Sequence, residues 1–91
     1  MGIWSRLGYV SAISFPNMRF NHFLSSYLPD TRYGGVRLFD DMLEQARVAD
    51  RLGYHAVSIP EHHLINILLT PAPLQMAVRV AAETEQVDIL T

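Results

Sequence analysis

The sequence predicts an α/β fold with a parallel sheet, because segments of strand character alternate with segments of helical periodicity. The predicted order is strand, helix, strand, helix, strand, over about 9–15, 37–52, 56–60, 73–85 and 87–90. The second and third predicted strands start at Ala56 and Val87, 31 residues apart. This spacing fits the roughly 31 residues per unit of a (β/α)8 barrel, and a doubly wound open sheet fits nearly as well.

The chain of 91 residues is too short to complete either architecture. Three parallel strands with two helices leave one face or edge of the sheet poorly covered. We therefore expect residues 1–91 to form the amino-terminal part of a single larger domain, that is, a βαβαβ portion of an incomplete barrel. We also expect a homo-oligomer, or self-association through the open sheet.

The first strand is predicted over 9–15, YVSAISF, a nearly continuous run of β-branched, aromatic and small residues. The following segment, 16–35, has no sustained period and is expected to be a loop. Loops of this length inside a compact domain are usually functional or mobile. Its aromatic residues Phe20, His22 and Phe23 are candidates for the wall of a substrate pocket, and the alternative is a satellite hydrophobic cluster.

The segment 37–52 is predicted to be a helix, because apolar residues recur on one face and charged residues occupy the other. The apolar residues of this face are Phe39, Met42, Leu43, Ala46, Ala49 and Leu52. Gly53 follows, where a helix commonly ends in a left-handed residue. Acids come early in the segment whereas Arg47 and Arg51 come late, which is the order that the helix dipole favours.

The second half of the chain contains two short apolar strands, 56–60 and 87–90, on either side of a helix at 73–85. The polar triplet 61–63 and a loop connect the first of these strands to the helix. The helix has a narrow stripe of small and medium residues, which is expected to pack closely on the sheet. The stripe comprises Leu74, Ala77, Val78, Ala81 and Ala82.

Composition excludes several classes of function. All 7 basic residues are Arg, and the absence of Lys removes Schiff-base chemistry, pyridoxal-phosphate anchoring and the lysine of a phosphate-binding loop. The net charge of -2 argues against a nucleic-acid partner, and no apolar run is long enough to span a membrane. Because Cys is absent, disulfides and thiol catalysis are excluded, and a cytoplasmic location is expected.

Glu61, His62 and His63 follow the strand at 56–60, at the edge where parallel α/β folds place their active sites. A histidine there is suited to general acid/base work near neutral pH. Adjacent side chains on an extended chain point to opposite faces, so no metal site is expected. The alternative is that the two histidines only cap the strand end. His55 precedes the strand at its amino end and is expected to be structural.

The segments ARVADRLGYHAVSIPEHH and TPAPLQMAVRVAAETEQVDILT resemble the amino-terminal part of the bacterial-luciferase-like family of flavin-dependent monooxygenases and oxidoreductases. Members of that family typically show a helix ending in A-x-x-L-G-[FY], a strand ending in E-H-H, and a proline-bearing loop before the next helix. The resemblance implies a (β/α)8 TIM barrel that binds reduced flavin at its carboxyl end, reacts with oxygen and oxidises an organic substrate. FMN is the implied cofactor, with the deazaflavin F420 as the alternative, and a flavin reductase is an implied partner.

The resemblance also assigns roles to the polar triplet. His62 matches the position associated with acid/base catalysis, while Glu61 and His63 match its flanking positions. The family builds its flavin phosphate site largely from strands that would follow position 91, so the isolated chain is expected to be inactive. The alternative is a non-catalytic, half-barrel-like interaction module or a truncated remnant.

Overall fold

The structure, a computed structural model, describes residues 18–91, so the strand predicted over 9–15 lies outside the described residues. The described elements are strand β1 (Asn21–Phe23), a 3-10 turn (Thr31–Tyr33), helix α1 (Gly35–Leu52), strand β2 (Ala56–Ser58), helix α2 (Pro73–Ala81) and strand β3 (Asp88–Leu90). No helix in this part of the chain has the length and apolar character that crossing a membrane requires.

The three strands form one parallel sheet in the order β1-β2-β3. In register, Phe23 pairs with Ser58 and Ser58 pairs with Leu90. The pairing continues past β2, where the N–H of Ile59 donates to the carbonyl of Leu90 at 2.9 Å. The predicted α/β fold with parallel strands is therefore confirmed, and its topology is that expected for part of a barrel.

The prediction of a loop throughout 16–35 is wrong, because β1 lies inside this segment. The strand is held by backbone hydrogen bonds from Leu24 to Ser58 and from His55 to Phe20, both 2.9 Å long. Leu24 is fully buried, whereas the strand itself consists of polar and aromatic residues. A strand of three residues, none of them buried, shows no apolar run, so periodicity could not reveal it.

Helix α1 packs against one face of the sheet, and the core lies between them and α2. The most deeply buried large side chains of this core are Leu24, Met42, Val57 and Val80. The helix begins two residues before the predicted start at 37, and its predicted apolar face is buried except at its ends. Leu52 is exposed and Phe39 only partly buried, whereas Leu38, which the prediction did not place on this face, is buried in the core.

Helix α2 is shorter than the predicted span of 73–85, and its predicted stripe is largely wrong. Leu74 and Val78 are 69% and 71% exposed, whereas Met76 and Val80 are buried against the core. The helix is rotated from the predicted orientation, since its buried residues are Pro73, Met76 and Val80. Leu74 and Val78 therefore form an apolar strip on the outer surface of α2 in the described part of the chain.

A buried carboxylate joins the end of α1 to the turn before β3. Asp50 accepts hydrogen bonds from the backbone N–H groups of Glu85, Gln86 and Val87 at 3.0, 2.8 and 2.9 Å. One carboxylate thus accepts hydrogen bonds from three consecutive backbone N–H groups, which would otherwise need carbonyl acceptors from a further turn of helix. This explains why α2 ends at Ala81 rather than at the predicted position 85.

An ion-pair network also links the two helices. Arg47 on α1 bonds to Glu44 on the same helix and to Glu83, which follows α2. These two carboxylates, Glu44 first, raise the pKa of the Arg47 guanidinium above its ordinary value. Arg79 reaches the other oxygen of Glu83 at 2.7 Å. The network is mostly solvent-accessible, so it orients the helices more than it stabilises them.

Gly53 ends α1 in the left-handed conformation, with φ 82° and ψ 26°. Gly53→Ala is expected to lower the free energy of unfolding by about 1 kcal/mol, because a β-carbon is strained at positive φ. Gly35→Ala is the matched control, since its β-carbon would lie 3.4 Å from Leu69 Cδ1 in ordinary contact within a helix. That variant should raise the free energy of unfolding by about 0.5–1 kcal/mol. Urea denaturation measures both, and shifts of the same sign would contradict this account.

Candidate functional site

The carboxyl ends of the strands meet at one edge of the sheet, and two loops leave the sheet there. The loop after β1 and the loop after β2 are joined by an antiparallel bridge between Tyr27 and Leu68. Three further bonds reinforce this junction: Leu28 N–H to Ile67 O at 2.7 Å, Leu69 N–H to Ser26 O at 3.0 Å, and Ser26 Oγ to Leu69 O at 2.7 Å. The loops after β1 and β2 are therefore hydrogen-bonded to each other beside the carboxyl edge.

The polar triplet Glu61, His62 and His63 lies at this edge, just after β2, but its members have different partners. Glu61 Oε1 and His63 Nε2 are 2.8 Å apart and form an exposed pair. His62 is partly buried, and its backbone N–H donates to the carbonyl of Thr70 at 3.1 Å. Within residues 18–91 the imidazole of His62 has no hydrogen-bond partner. Of the two histidines, His62 is thus the one whose ring nitrogens remain available to a ligand.

The three aromatic candidates for a pocket wall are not brought together. Phe20 and His22 lie on the helix-covered side, where their rings meet the Tyr54 ring edge-on at centroid distances of 6.3 and 6.1 Å. His22 Nε2 also lies 2.8 Å from Gln45 Oε1. Phe23 points to the opposite side of the sheet and is 54% exposed. Strand alternation therefore separates Phe23 from the other two.

A pocket of about 220 Å³ opens beside His22 on the helix-covered side. Val48 and Leu52 of α1 line it together with Tyr54. The pocket is on the helix-covered side of the sheet and not at the carboxyl edge. The assignment of His22 to a substrate pocket therefore stays a prediction.

The sheet face opposite the helices carries a row of side chains next to the carboxyl edge, formed by Phe23, Ser58 and Leu90, which we call the upper row. Leu90 is 50% exposed, and Asn21 Nδ2 donates to Ser58 Oγ at 2.7 Å. Sequence reasoning missed Ser58, Asn21 and Leu90. The signal that would have found them is strand parity, because residues opposite Phe23 in a parallel register share its face.

The described residues show no cluster suited to a metal, since no group of three or more His, Asp or Glu side chains is close enough to hold one. His55 lies at the amino edge of the sheet, where its Nε2 is 3.6 Å from Asp88 Oδ2. Both side chains of this pair are substantially exposed. His55 and the polar triplet therefore lie at opposite ends of β2.

Comparison with known proteins relates this arrangement to one family. Residues 18–91 match the family described as luciferase-like monooxygenase. Over 74 residues the chain is 32% identical to the oxygenase component of the flavin-dependent trigonelline monooxygenase of Acinetobacter baylyi, covering 81% of this chain and 21% of that protein. The chain thus spans about a fifth of the length of that curated relative. No solved structure matches the chain significantly.

Proposed function

Because the chain belongs to the luciferase-like monooxygenase family, we propose that it supplies the first βα units of a (β/α)8 barrel that oxidises an organic substrate with reduced flavin and oxygen. The observation that carries this proposal is the polar triplet at the carboxyl edge of a parallel sheet. Barrels of this kind place their reacting groups at that edge. The relative's name, which specifies a flavin-dependent monooxygenase, supports the same chemistry.

We place the flavin ring against the sheet face opposite the helices. Phe23 and Leu90 offer exposed apolar surface, and the hydroxyl of Ser58 lies between them in register. A planar heteroaromatic ring is best held by apolar walls with a few polar groups. In a closed barrel the upper row faces the interior, directly beneath the strand ends. FMN is the flavin that we propose, and F420 is the alternative.

The bound reduced flavin would supply two electrons to oxygen, so that one oxygen atom enters the substrate and the other leaves as water. In this scheme His62 transfers a proton at one of its ring nitrogens, at the carboxyl edge of the sheet. The ring is suited to this because no protein group in residues 18–91 occupies its nitrogens. The Glu61–His63 pair lies beside it, and we assign this pair a supporting part in the site rather than the proton transfer.

The partners follow from the same scheme. The relative is named an oxygenase component, which supports a separate flavin reductase as the source of reduced flavin. The remaining partners that we propose are oxygen, a small organic substrate and a second copy of the protein. The exposed side chains of Phe23 and Leu90 and the exposed strip of Leu74 and Val78 are surfaces that the isolated chain would bury by association.

The test uses the full-length polypeptide that contains this chain. Anaerobic titration should show one reduced FMN bound per polypeptide, with F420 titrated in parallel. Admission of oxygen in the presence of a panel of small organic compounds should give a product heavier by one oxygen atom, detected by mass spectrometry. Failure to bind either reduced flavin would contradict the proposal.

The alternative function is a non-catalytic interaction module, and the isolated chain distinguishes it. Sedimentation of the isolated chain should give a self-associated species if its uncovered sheet is a docking surface. A monomer that unfolds cooperatively would count against the module. A stoichiometric flavin complex of the isolated chain would contradict our expectation that later barrel units complete the cofactor site.

A further inference from the structure

Thr70, at the end of the loop between β2 and α2, departs from two conformational preferences at once. Its φ is 74°, in the left-handed region, where a β-branched residue is a genuine outlier. Its side chain is 2% exposed, and within residues 18–91 its buried Oγ1 has no hydrogen-bond partner. Buried hydroxyls are nearly always paired. Something in the surrounding structure must therefore hold Thr70 in this conformation, and such residues cluster at functional sites.

The backbone of Thr70 contacts the polar triplet directly. Its carbonyl oxygen accepts the N–H of His62 at 3.1 Å. This bond joins the two ends of segment 63–69, so that His62 and Thr70 are neighbours at the base of the loop. Just before Thr70, Leu69 is fixed on both its N–H and its carbonyl by Ser26. The position of Thr70 is thus set from the loop after β1, and the position of His62 is set by Thr70.

Two features of Thr70 indicate that its backbone, and not its side chain, acts on the site. Oγ1 has almost no solvent access, although the residue borders a pocket of about 310 Å³ between α1 and α2. The hydroxyl is therefore not offered to a ligand in that pocket. The backbone angles, in contrast, set where the Thr70 carbonyl points, and with φ at 74° this carbonyl accepts the His62 N–H.

We propose that Thr70 is a positioning residue for His62: its left-handed backbone directs the carbonyl that fixes the His62 N–H and thereby sets where the imidazole lies at the carboxyl edge. This inference rests on the proposed function, in which His62 transfers the proton. It adds that the accuracy of that transfer depends on a residue that touches neither flavin nor substrate. The neighbouring loop after β1 contributes through the Ser26 and Leu69 bonds.

The experiment is hydrogen–deuterium exchange of the full-length polypeptide, resolved to single amides. Thr70→Pro fixes φ near -65° and so forbids the left-handed conformation. The Thr70 N–H makes no hydrogen bond within residues 18–91, so this variant removes no donor that the described structure uses. We expect the His62 amide to exchange roughly tenfold faster, because its acceptor is displaced. The His55 amide, which donates to Phe20 O at the other end of β2, is the internal control and should not change.

Matched variants separate the backbone from the side chain. Thr70→Asn retains a residue that tolerates the left-handed region, and Thr70→Val retains the shape without the hydroxyl. Both should leave the His62 amide at the wild-type exchange rate. Thr70→Gly, which populates both signs of φ, should give a smaller rise of about threefold, and it serves if the proline variant does not fold. Equal exchange of the His62 amide in wild type and Thr70→Gly would overturn the proposal, as would equal acceleration of His55 and His62.

Turnover provides the second readout. Thr70→Pro or Thr70→Gly should lower kcat about tenfold while the Kd for reduced FMN stays constant, and Thr70→Asn should restore kcat. A loss in Thr70→Val would instead assign the role to the hydroxyl and overturn the backbone mechanism. If the wild type binds no flavin, the proposed function fails while the exchange pattern still decides whether Thr70 fixes His62. If flavin binds and turns over but the exchange pattern is absent, only the positioning role fails.

Discussion

Asp50→Ala is expected to lower the free energy of unfolding by about 3 kcal/mol, the largest stability effect that we predict for a single polar side chain in the described structure. The substitution leaves three backbone N–H groups, those of Glu85, Gln86 and Val87, without their acceptor. Val87 is buried, so its N–H cannot regain a partner from water without opening the core. Guanidinium denaturation of the full-length polypeptide, followed by circular dichroism, measures the change.

Two further variants test the mechanism of this loss. In Asp50→Asn the amide oxygen can still accept from the N–H groups of Gln86 and Val87, but the amide NH₂ then faces the N–H of Glu85. We therefore expect the free energy of unfolding to fall by about half as much, roughly 1.5 kcal/mol. Asp40→Asn, on the exposed side of α1, should change the free energy of unfolding by less than about 0.5 kcal/mol. A cost for Asp50→Ala no larger than that of Asp40→Asn would show that the turn before β3 does not depend on the carboxylate.

Under the proposed function, His62→Gln is expected to reduce turnover of the full-length polypeptide by roughly 10²–10⁴-fold, the range that a positioned general acid or base contributes. Glutamine approximates the size of the imidazole and can hydrogen-bond, but it cannot exchange a proton near neutral pH. The Kd for reduced FMN should be nearly unchanged, because the loss is in proton transfer rather than in binding. Single-turnover kinetics with preformed reduced flavin separates these two effects.

The neighbouring histidines are the controls. His63→Gln breaks only the exposed pair with Glu61 and should cost less than about tenfold in kcat. His55→Gln, at the amino edge beside Asp88, should leave kcat unchanged. Added imidazole should partly restore turnover in His62→Ala if the missing group is a proton carrier. Turnover of His62→Gln within tenfold of wild type would exclude His62 as the acid or base.

The parts of the fold that periodicity could predict are those with a long one-sided pattern. Helix α1 is observed close to its predicted span, because its buried residues repeat over several turns and Gly53 marks its end. Strand β1 escaped prediction because its polar residues find partners far along the chain. Asn21 bonds to Ser58 and His22 to Gln45, so neither residue looks like a strand residue in its local sequence.

Other features depend on tertiary contacts that no local pattern encodes. An acid in the last turn of a helix opposes the helix dipole, so Asp50 gave no local sign of a favourable role. Its stabilising partners lie beyond α2. Helix α2 likewise buries Pro73, Met76 and Val80 rather than the most regular stripe of apolar residues.

The candidate site was predictable in place but not in detail. Strand order alone puts Glu61, His62 and His63 at the carboxyl edge, because the ends of parallel strands coincide. The sequence could not show that Glu61 pairs with His63 and leaves the His62 ring open. It also could not show the left-handed φ of Thr70, since Thr has no intrinsic preference for that conformation.

The shared backbone hydrogen bonds between the loops after β1 and β2 also constrain protein engineering. Each loop supplies both donors and acceptors to the other, through Leu28 and Ile67 and through Ser26 and Leu69. A graft that exchanges one loop for that of a relative would leave the other with unmatched groups. Recombination or loop grafting in this region should therefore transfer residues 24–28 and 67–70 together.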